Sequence, residues 1–177
     1  MPLTVVRPAG MFSDFKNGVT FAQTWRFSQN QAFSGGAATI YSAGAWEAQD
    51  TDSAPSYSTS MTASSGVFSF PSTGIYKVDA NVYFRLTSST NDMAFFETYM
   101  QVTTNNSSYS NTAIMIQSIS NSNDYAAMSD CCLVDVTDVS NVKFKMVGFP
   151  QSGHDVTVTG DTDGSYTSLT FTRLGDT

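Results

Sequence analysis

From about residue 20 onward, apolar and polar residues alternate with a period of two. In the stretch from Ile75 to Leu86, Tyr76, Val78, Ala80, Val82, Phe84 and Leu86 fall on one face, and Lys77, Asp79, Asn81 and Arg85 on the other. Successive side chains of a strand point to opposite sides, so this pattern predicts a half-buried strand. Similar runs, rich in β-branched and aromatic residues, span Thr24–Phe33, Gly66–Phe70, Ala94–Thr103, Ala113–Ile119, Cys132–Val136, Val142–Phe149, Val156–Thr159 and Ser168–Leu174. Between them lie clusters of Ser, Asn, Asp, Gly and Thr, such as Ser34–Gly36, Asn105–Asn111 and Gly160–Ser165, which supply turn chemistry. No stretch carries a helical period. About eight to ten antiparallel strands at regular spacing, without helices, predict a β-sandwich or barrel rather than a propeller or solenoid.

Residues 1 to 20 read differently. Pro2, Pro8, Gly10 and Gly18 interrupt isolated apolar residues, among them Val5, Val6, Met11, Phe12 and Phe15. A segment with aromatics but no period cannot build its own core, so it is expected to act as an arm that packs across the domain or docks on a neighbouring chain, a partner surface being the simplest candidate, ahead of a single domain from 21 to 177.

Composition narrows the function. Of the 177 residues only 13% are charged, against roughly a quarter in average domains, and Ser and Thr together make roughly a quarter of the chain. With 8 Lys and Arg against 15 Asp and Glu, the net charge is -7, which argues against a partner bound through phosphate neutralisation, nucleic acid and anionic membranes included. No window is long and apolar enough to insert in a membrane, and the amino-terminal residues lack the apolar core of a signal peptide, so the mature chain is expected to start at Met1. Cys131 and Cys132 are adjacent and would point to opposite faces of a strand. Both are expected to be free thiols from a reducing compartment, buried as small hydrophobes.

Two stretches are more specific than a strand pattern. Ser65-Gly66-Val67-Phe68-Ser69-Phe70-Pro71-Ser72-Thr73-Gly74-Ile75-Tyr76-Lys77-Val78 resembles the signature of the C1q/tumour-necrosis-factor-like superfamily, whose globular heads carry a G-x-F-x-x-P-x-x-G-x-Y pattern. The run from Cys132 to Met146 resembles the penultimate hairpin of those heads, and Tyr166 to Leu174 resembles their closing aromatic strand. The resemblance covers roughly residues 22 to 175 and implies a jelly-roll sandwich of two sheets. It also implies a compact homotrimer burying residues of one outer sheet face, for which Tyr83, Phe95 and Tyr99 are the candidates. No collagen-like stalk is present, and Val139-Ser140-Asn141 stands where those heads have Gly after the Asp of the polar turn. The chain is more closely similar to small Ser/Thr/Asn-rich jelly-roll proteins of tailed, often marine or cyanobacterial, phages. Those share Trp-Arg near the start, Phe-Pro-Ser-Thr-Gly in the middle and Arg-Leu-Gly-Asp-Thr at the end, here Trp25-Arg26, Phe70 to Gly74 and Arg173 to Thr177.

Candidate chemistry is sparse, and no catalytic residue is assigned. The single histidine, His154, sits in a loop, and no Gly-x-Ser-x-Gly elbow, Walker loop or His-x-x-x-His pair accompanies it. Asp161 and Asp163 beside Gly164 are candidate ligands for Ca²⁺, the one cofactor the sequence brings into view, although Asx-Gly is also ordinary hairpin chemistry. Tyr109, Tyr125 and Tyr166, and with them Tyr57, lie in or beside polar loops where tyrosines stack on sugars or fill interfaces.

The expectation from the resemblance is a non-enzymatic virion structural protein, synthesised in the host cytoplasm and displayed on the virion surface. It would be a homotrimeric capsid-decoration or knob-like protein, fastened to the major capsid protein or another virion protein by its arm. The alternative is a receptor-binding head of a tail fibre that touches host-surface glycan. A C1q-like secreted binding module is the further alternative.

Overall fold

A computed structural model describes residue 19 and residues 21–42, 46–50, 60–87 and 92–177. The described residues form thirteen strands and no helix: β1 (Phe21–Phe27), β2 (Gln31–Phe33), β3 (Thr39–Ile40), β4 (Trp46–Ala48), β5 (Thr62–Ser64), β6 (Val67–Ser69), β7 (Gly74–Leu86), β8 (Met93–Thr103), β9 (Ser110–Ile119), β10 (Tyr125–Val136), β11 (Lys143–Pro150), β12 (Val156–Val158) and β13 (Ser168–Gly175). The arm residues Val5, Val6, Met11, Phe12 and Phe15 lie outside the described residues, as does Tyr57.

The strands make two antiparallel sheets. In the first, the order is β2-β12-β7-β13-β1-β4, and β10 pairs with the other edge of β7 along its whole length, from Tyr125 opposite Arg85 to Val136 opposite Gly74. Strands β12 and β13 share the remaining edge of β7, with Val158 opposite Phe84 and Ser168 opposite Asn81. In the second sheet the order is β5-β6-β11-β8-β9, and β3 extends the β6 side of β11. These pairings join residues far apart in sequence, as a sandwich with crossed connections requires.

The alternation read in β7 holds residue by residue, with Tyr76, Val78, Ala80, Val82, Phe84 and Leu86 turned inward and buried. They meet an aromatic layer from the second sheet. Phe68 on β6, fully buried, lies 5.4 Å from the Trp25 ring of β1 and 5.1 Å from the Phe171 ring of β13. Toward the other end Phe96 of β8 lies 4.8 Å from Phe84 and 5.8 Å from Phe33. The geometry is mostly tilted or edge-to-face, which the ring quadrupole favours.

Three strand expectations change. The run from Thr24 to Phe33 is two strands, β1 and β2, separated at Ser28–Asn30, where Gly160 packs so closely that an added Cβ would lie 2.4 Å from the Gln29 carbonyl oxygen. Strand β10 begins at Tyr125 rather than Cys132, because its first half is small and polar and is held by the ladder with β7. Strands β2 to β6 have only two or three residues each, too few for alternation to mark.

Candidate functional site

The sandwich presents two outer faces. On the first sheet, the outward residues of β7, β10 and β13 line up in rows: Tyr83 with Ala127, Asn81 with Ser129 and Ser168, Asp79 with Cys131 and Thr170, Lys77 with Leu133 and Thr172. At the upper end the Tyr83 ring is stacked between two others, Tyr125 at 5.4 Å and 16° and Tyr166 at 5.4 Å and 30°. Asn81 fixes the Tyr166 backbone by donating from Nδ2 to its carbonyl oxygen at 2.6 Å. The buried Thr167 hydroxyl accepts from the Tyr83 amide at 3.1 Å. Tyr125 is 54% exposed and Tyr166 48%, so each offers a free ring surface.

Below the tyrosines lies a shallow recess of about 430 Å³, lined by Asp79, Asn81, Ser129, Cys131, Ser168 and Thr170. Its walls are short and polar. Below that, Lys77 and Asp79 form an exposed ion pair at 2.5 Å, beside the exposed Leu133.

The second sheet's outer face is more apolar. Phe95 of β8 stacks on Phe149 of β11 at 6.3 Å and 14°. Tyr99, flanked by Val147 and Ile114, donates its hydroxyl proton to the Glu97 carboxylate. That bond, with burial second, pushes the Tyr99 hydroxyl up to about 12.

These placements correct the grouping of Tyr83, Phe95 and Tyr99 on one face. Tyr83 belongs to β7 in the first sheet, and Phe95 and Tyr99 belong to β8 in the second, so they point away from each other across the sandwich. Alternation assigns a side chain to one side of its own strand. It does not assign the strand to a sheet. The loop tyrosines divide similarly: Tyr125 and Tyr166 join Tyr83, whereas Tyr109 lies under the Lys145 ammonium, 3.8 Å from its ring centroid, in a cation–π contact on the second sheet.

The remaining candidates are placed as follows. Asp161 Oδ1 accepts from the amides of Asp163 at 2.6 Å and Gly164 at 2.7 Å, so the pair forms an Asx turn, and the amides hold the Asp161 carboxyl below the usual carboxylate range. Among the described residues no group of three or more His, Cys, Asp or Glu gathers as a metal cage would. His154 Nδ1 faces the Ser152 carbonyl at 3.3 Å. Cys132 is buried as expected, but Cys131 is exposed on the recess, because adjacent strand residues cannot both face the core.

Two of the sequence motifs meet. Arg173 reaches the Thr73 carbonyl oxygen with Nε at 3.0 Å and binds the Asp176 carboxylate, so Phe70 to Gly74 and Arg173 to Thr177 form one clasp. In the third, Trp25 is core, and Arg26, buried although on the outer side, bonds Glu47 at 2.7 Å and Asp50 at 2.6 Å. The motifs are therefore structural. Sequence reading missed the exposed Leu133, Ile114 and Ile116; their signal was an apolar residue in the outward phase of an alternating strand, as in Cys132-Leu133-Val134 and Ile114-Met115-Ile116.

No family model matches the chain, and no curated protein matches it. Among solved structures, the Eiger TNF from S. frugiperda superposes with a TM-score of 0.62 at 11% identity, covering 90% of this chain and 96% of that one. Murine APRIL at pH 5.0 superposes with a TM-score of 0.59 at 12% identity, covering 86% of this chain and 98% of that one. The fold is a TNF-like jelly roll. The globular domain of zebrafish complement 1qA protein matches with a TM-score of 0.48 at 7% identity, covering 88% of this chain and 98% of that one. In this TNF-like jelly roll the sheet of β7, β10 and β13 presents the tyrosine stack, and the sheet of β8, β9 and β11 presents Phe95, Tyr99 and the two isoleucines.

Proposed function

We propose that this chain is a non-enzymatic binding module that self-associates as a homotrimer and serves on a phage virion as a capsid-decoration or knob-like protein, held to the major capsid protein or another virion protein by residues 1–20. The observation that carries self-association is the stacked Tyr125–Tyr83–Tyr166 cluster, left partly exposed with Leu133 on the outer face of β7 and β10. Tyrosines of this kind are enriched at interfaces, where an apolar ring is covered while its hydroxyl keeps a polar partner. The short polar recess on the same face suits close approach of a second surface better than capture of an apolar small molecule. The virion assignment is supported by the resemblance to the small phage jelly-roll proteins and by the acidic, Ser- and Thr-rich composition.

Sedimentation of the full chain tests the first part: Tyr125→Ala combined with Leu133→Ser converts a trimer to monomer, and an unchanged mass overturns it. Mass spectrometry and cryo-electron microscopy of purified particles test the second. Threefold protrusions over the capsid shell, lost when residues 1–20 are deleted, are expected; absence from particles overturns the virion reading.

The exposed rings of Tyr125 and Tyr166 also favour a second reading, a receptor-binding head that stacks host-surface glycan. Density confined to a tail or unique vertex, with glycan binding abolished by Tyr166→Ala, would select it.

A further inference from the structure

Tyr109, set apart from the tyrosine stack, belongs to a group of polar side chains on the second sheet, toward the end away from Phe95 and Phe149. It directly precedes β9, yet its ring lies 3.8 Å from the ammonium of Lys145 on β11. Two strand spacings, about 9.6 Å, separate β9 from β11, so the side chain spans the outer face of β8. Register places Gln101 of β8 beside Lys145 and Asn111 of β9 beside Gln101. Gln101 Nε2 donates to Asn111 Oδ1 at 2.8 Å, which leaves Gln101 Oε1 and Asn111 Nδ2 as an acceptor and a donor side by side. Lys143, about 7 Å from Lys145 along the same face of β11, donates to the Val139 carbonyl oxygen at 2.6 Å.

Positive charge is left uncompensated here. The chain holds 15 Asp and Glu against 8 Lys and Arg, an excess that offers every cation a carboxylate. Among the described residues Arg26, Lys77 and Arg173 take one, whereas Lys143 and Lys145 take none and repel each other. The carboxylates of the adjoining strand and turn are engaged elsewhere: Glu97 by the Tyr99 hydroxyl, Asp138 by the Ser140 amide and the Asn141 side chain, both at 2.7 Å. Burial holds the Lys145 ammonium below its ordinary value. An ammonium partly stripped of water gains more from an anion than a fully hydrated one does.

We propose that Lys145, Tyr109, Gln101 and Asn111 form a binding site for a sugar that carries a carboxylate, such as a hexuronic or nonulosonic acid unit of a glycan. The Lys145 ammonium takes the carboxylate, and Lys143 adds to the field. The Gln101–Asn111 pair, beginning one strand away at about 4.8 Å, takes neighbouring hydroxyl groups, one as acceptor and one as donor. The Tyr109 ring holds the ammonium in place and offers an apolar edge to the sugar. A singly charged sugar suits two ammonium groups, whereas the net charge of -7 disfavours a densely charged polyphosphate. The site lies on the sheet opposite the tyrosine stack, so it goes beyond both readings of that stack, and self-association through the stack does not draw on it.

The test is isothermal titration calorimetry of the full chain with trigalacturonate and sialyllactose, each against its neutral counterpart, the galactose trimer and lactose, and against acetate. Heat with an acidic sugar, weakening as salt is raised, and none with the neutral sugars or acetate at the same concentration is expected. Lys145→Gln is expected to weaken binding about tenfold or more and Asn111→Ala about fivefold, with Lys145→Arg retaining it. Circular dichroism melts and sedimentation are expected to show both weakened variants folded and of wild-type mass. No heat with either acidic sugar, equal heat with the neutral sugars or acetate, or unchanged affinity in Lys145→Gln overturns the proposal. Loss of heat in Tyr166→Ala but not in Lys145→Gln places the sugar on the tyrosine stack and overturns it as well. Tyr125→Ala with Leu133→Ser is expected to leave the heat per chain unchanged whatever it does to the mass, so failure of the trimer and failure of this site are read separately.

Discussion

Arg173 donates from Nε to the carbonyl oxygen of Thr73 at 3.0 Å, tying the last strand to the turn that launches the longest one. The approach is close because residue 74 is glycine: its φ is 138°, and an added Cβ would lie 2.5 Å from the Gly175 carbonyl oxygen and 2.6 Å from Arg173 Nε. Only glycine accepts that backbone without strain. Gly74→Ala is expected to cost about 1–3 kcal/mol in strain alone. Arg173→Lys, which keeps the charge and loses the planar fork, is expected to cost about 1 kcal/mol. Thermal melts should therefore rank Gly74→Ala below Arg173→Lys; the reverse order contradicts the clasp as described.

Phe68 is the joint between the sheets, fully buried against Trp25, Trp46, Phe144 and Phe171. Four neighbouring rings on opposite layers cannot collapse into the space it leaves. Phe68→Ala is expected to lower stability by about 3–5 kcal/mol, read as the shift in urea midpoint at constant slope.

Alkaline pH acts through Tyr41. Its ring is fully buried, its hydroxyl bonds Thr98 at 2.9 Å, and burial raises its ionisation well above the usual tyrosine value. The folded state thus holds the proton where the unfolded state releases it, so stability declines as pH rises past the unfolded value of about 10. Tyr41→Phe is expected to flatten that decline while lowering stability at neutral pH by about 1–3 kcal/mol, since Thr98 loses its partner. Equal alkaline slopes in the two proteins would refute this origin.

At the acid end Asp161 acts in the opposite sense. Its carboxyl is held low by the amides of Asp163 and Gly164, so its contribution is present above the unfolded carboxylate value and fades as pH falls through the folded one. Asp161→Asn keeps an acceptor but removes the charge, so it is expected to lower the melting temperature at neutral pH and, having no proton to take up, to soften the acid limb. Because Oδ1 is engaged by two amides, millimolar Ca²⁺ is expected to give no calorimetric heat. A heat that disappears in Asp163→Asn would establish a cation site there.

Thiol chemistry separates the two cysteines. Cys131 is exposed, whereas burial raises the Cys132 thiol and withholds its thiolate. In the folded Tyr125→Ala, Leu133→Ser variant, whose β7–β10 face is uncovered, a thiol reagent is expected to modify Cys131 and spare Cys132, and in denaturant to modify both, with Cys131→Ser removing the folded-state reaction.

The strand alternation was legible because each strand's inward face is built from its own sequence. Tyr76 to Leu86 could be assigned to the core from β7 alone. The first half of β10 could not, since Ala126, Ala127 and Ser129 carry little signal and are set by twelve pairings with a strand some fifty residues earlier. Cys131 followed the same logic, exposed because Cys132 took the inward phase.

What the chain's own sequence determined is the class of fold, the inward set of residues and the turns, all local consequences of period-two patterning and of Gly, Asn and Asp in the loops. What the tertiary structure alone decided is which outward residues are neighbours. Tyr83 and Phe95 are both aromatic and both outward, yet one joins Tyr125 and Tyr166 and the other joins Phe149 on the opposite face. The physical reason is that sheet membership comes from pairing between distant strands, and each of these surfaces exists only once those pairings have placed side chains from three strands side by side.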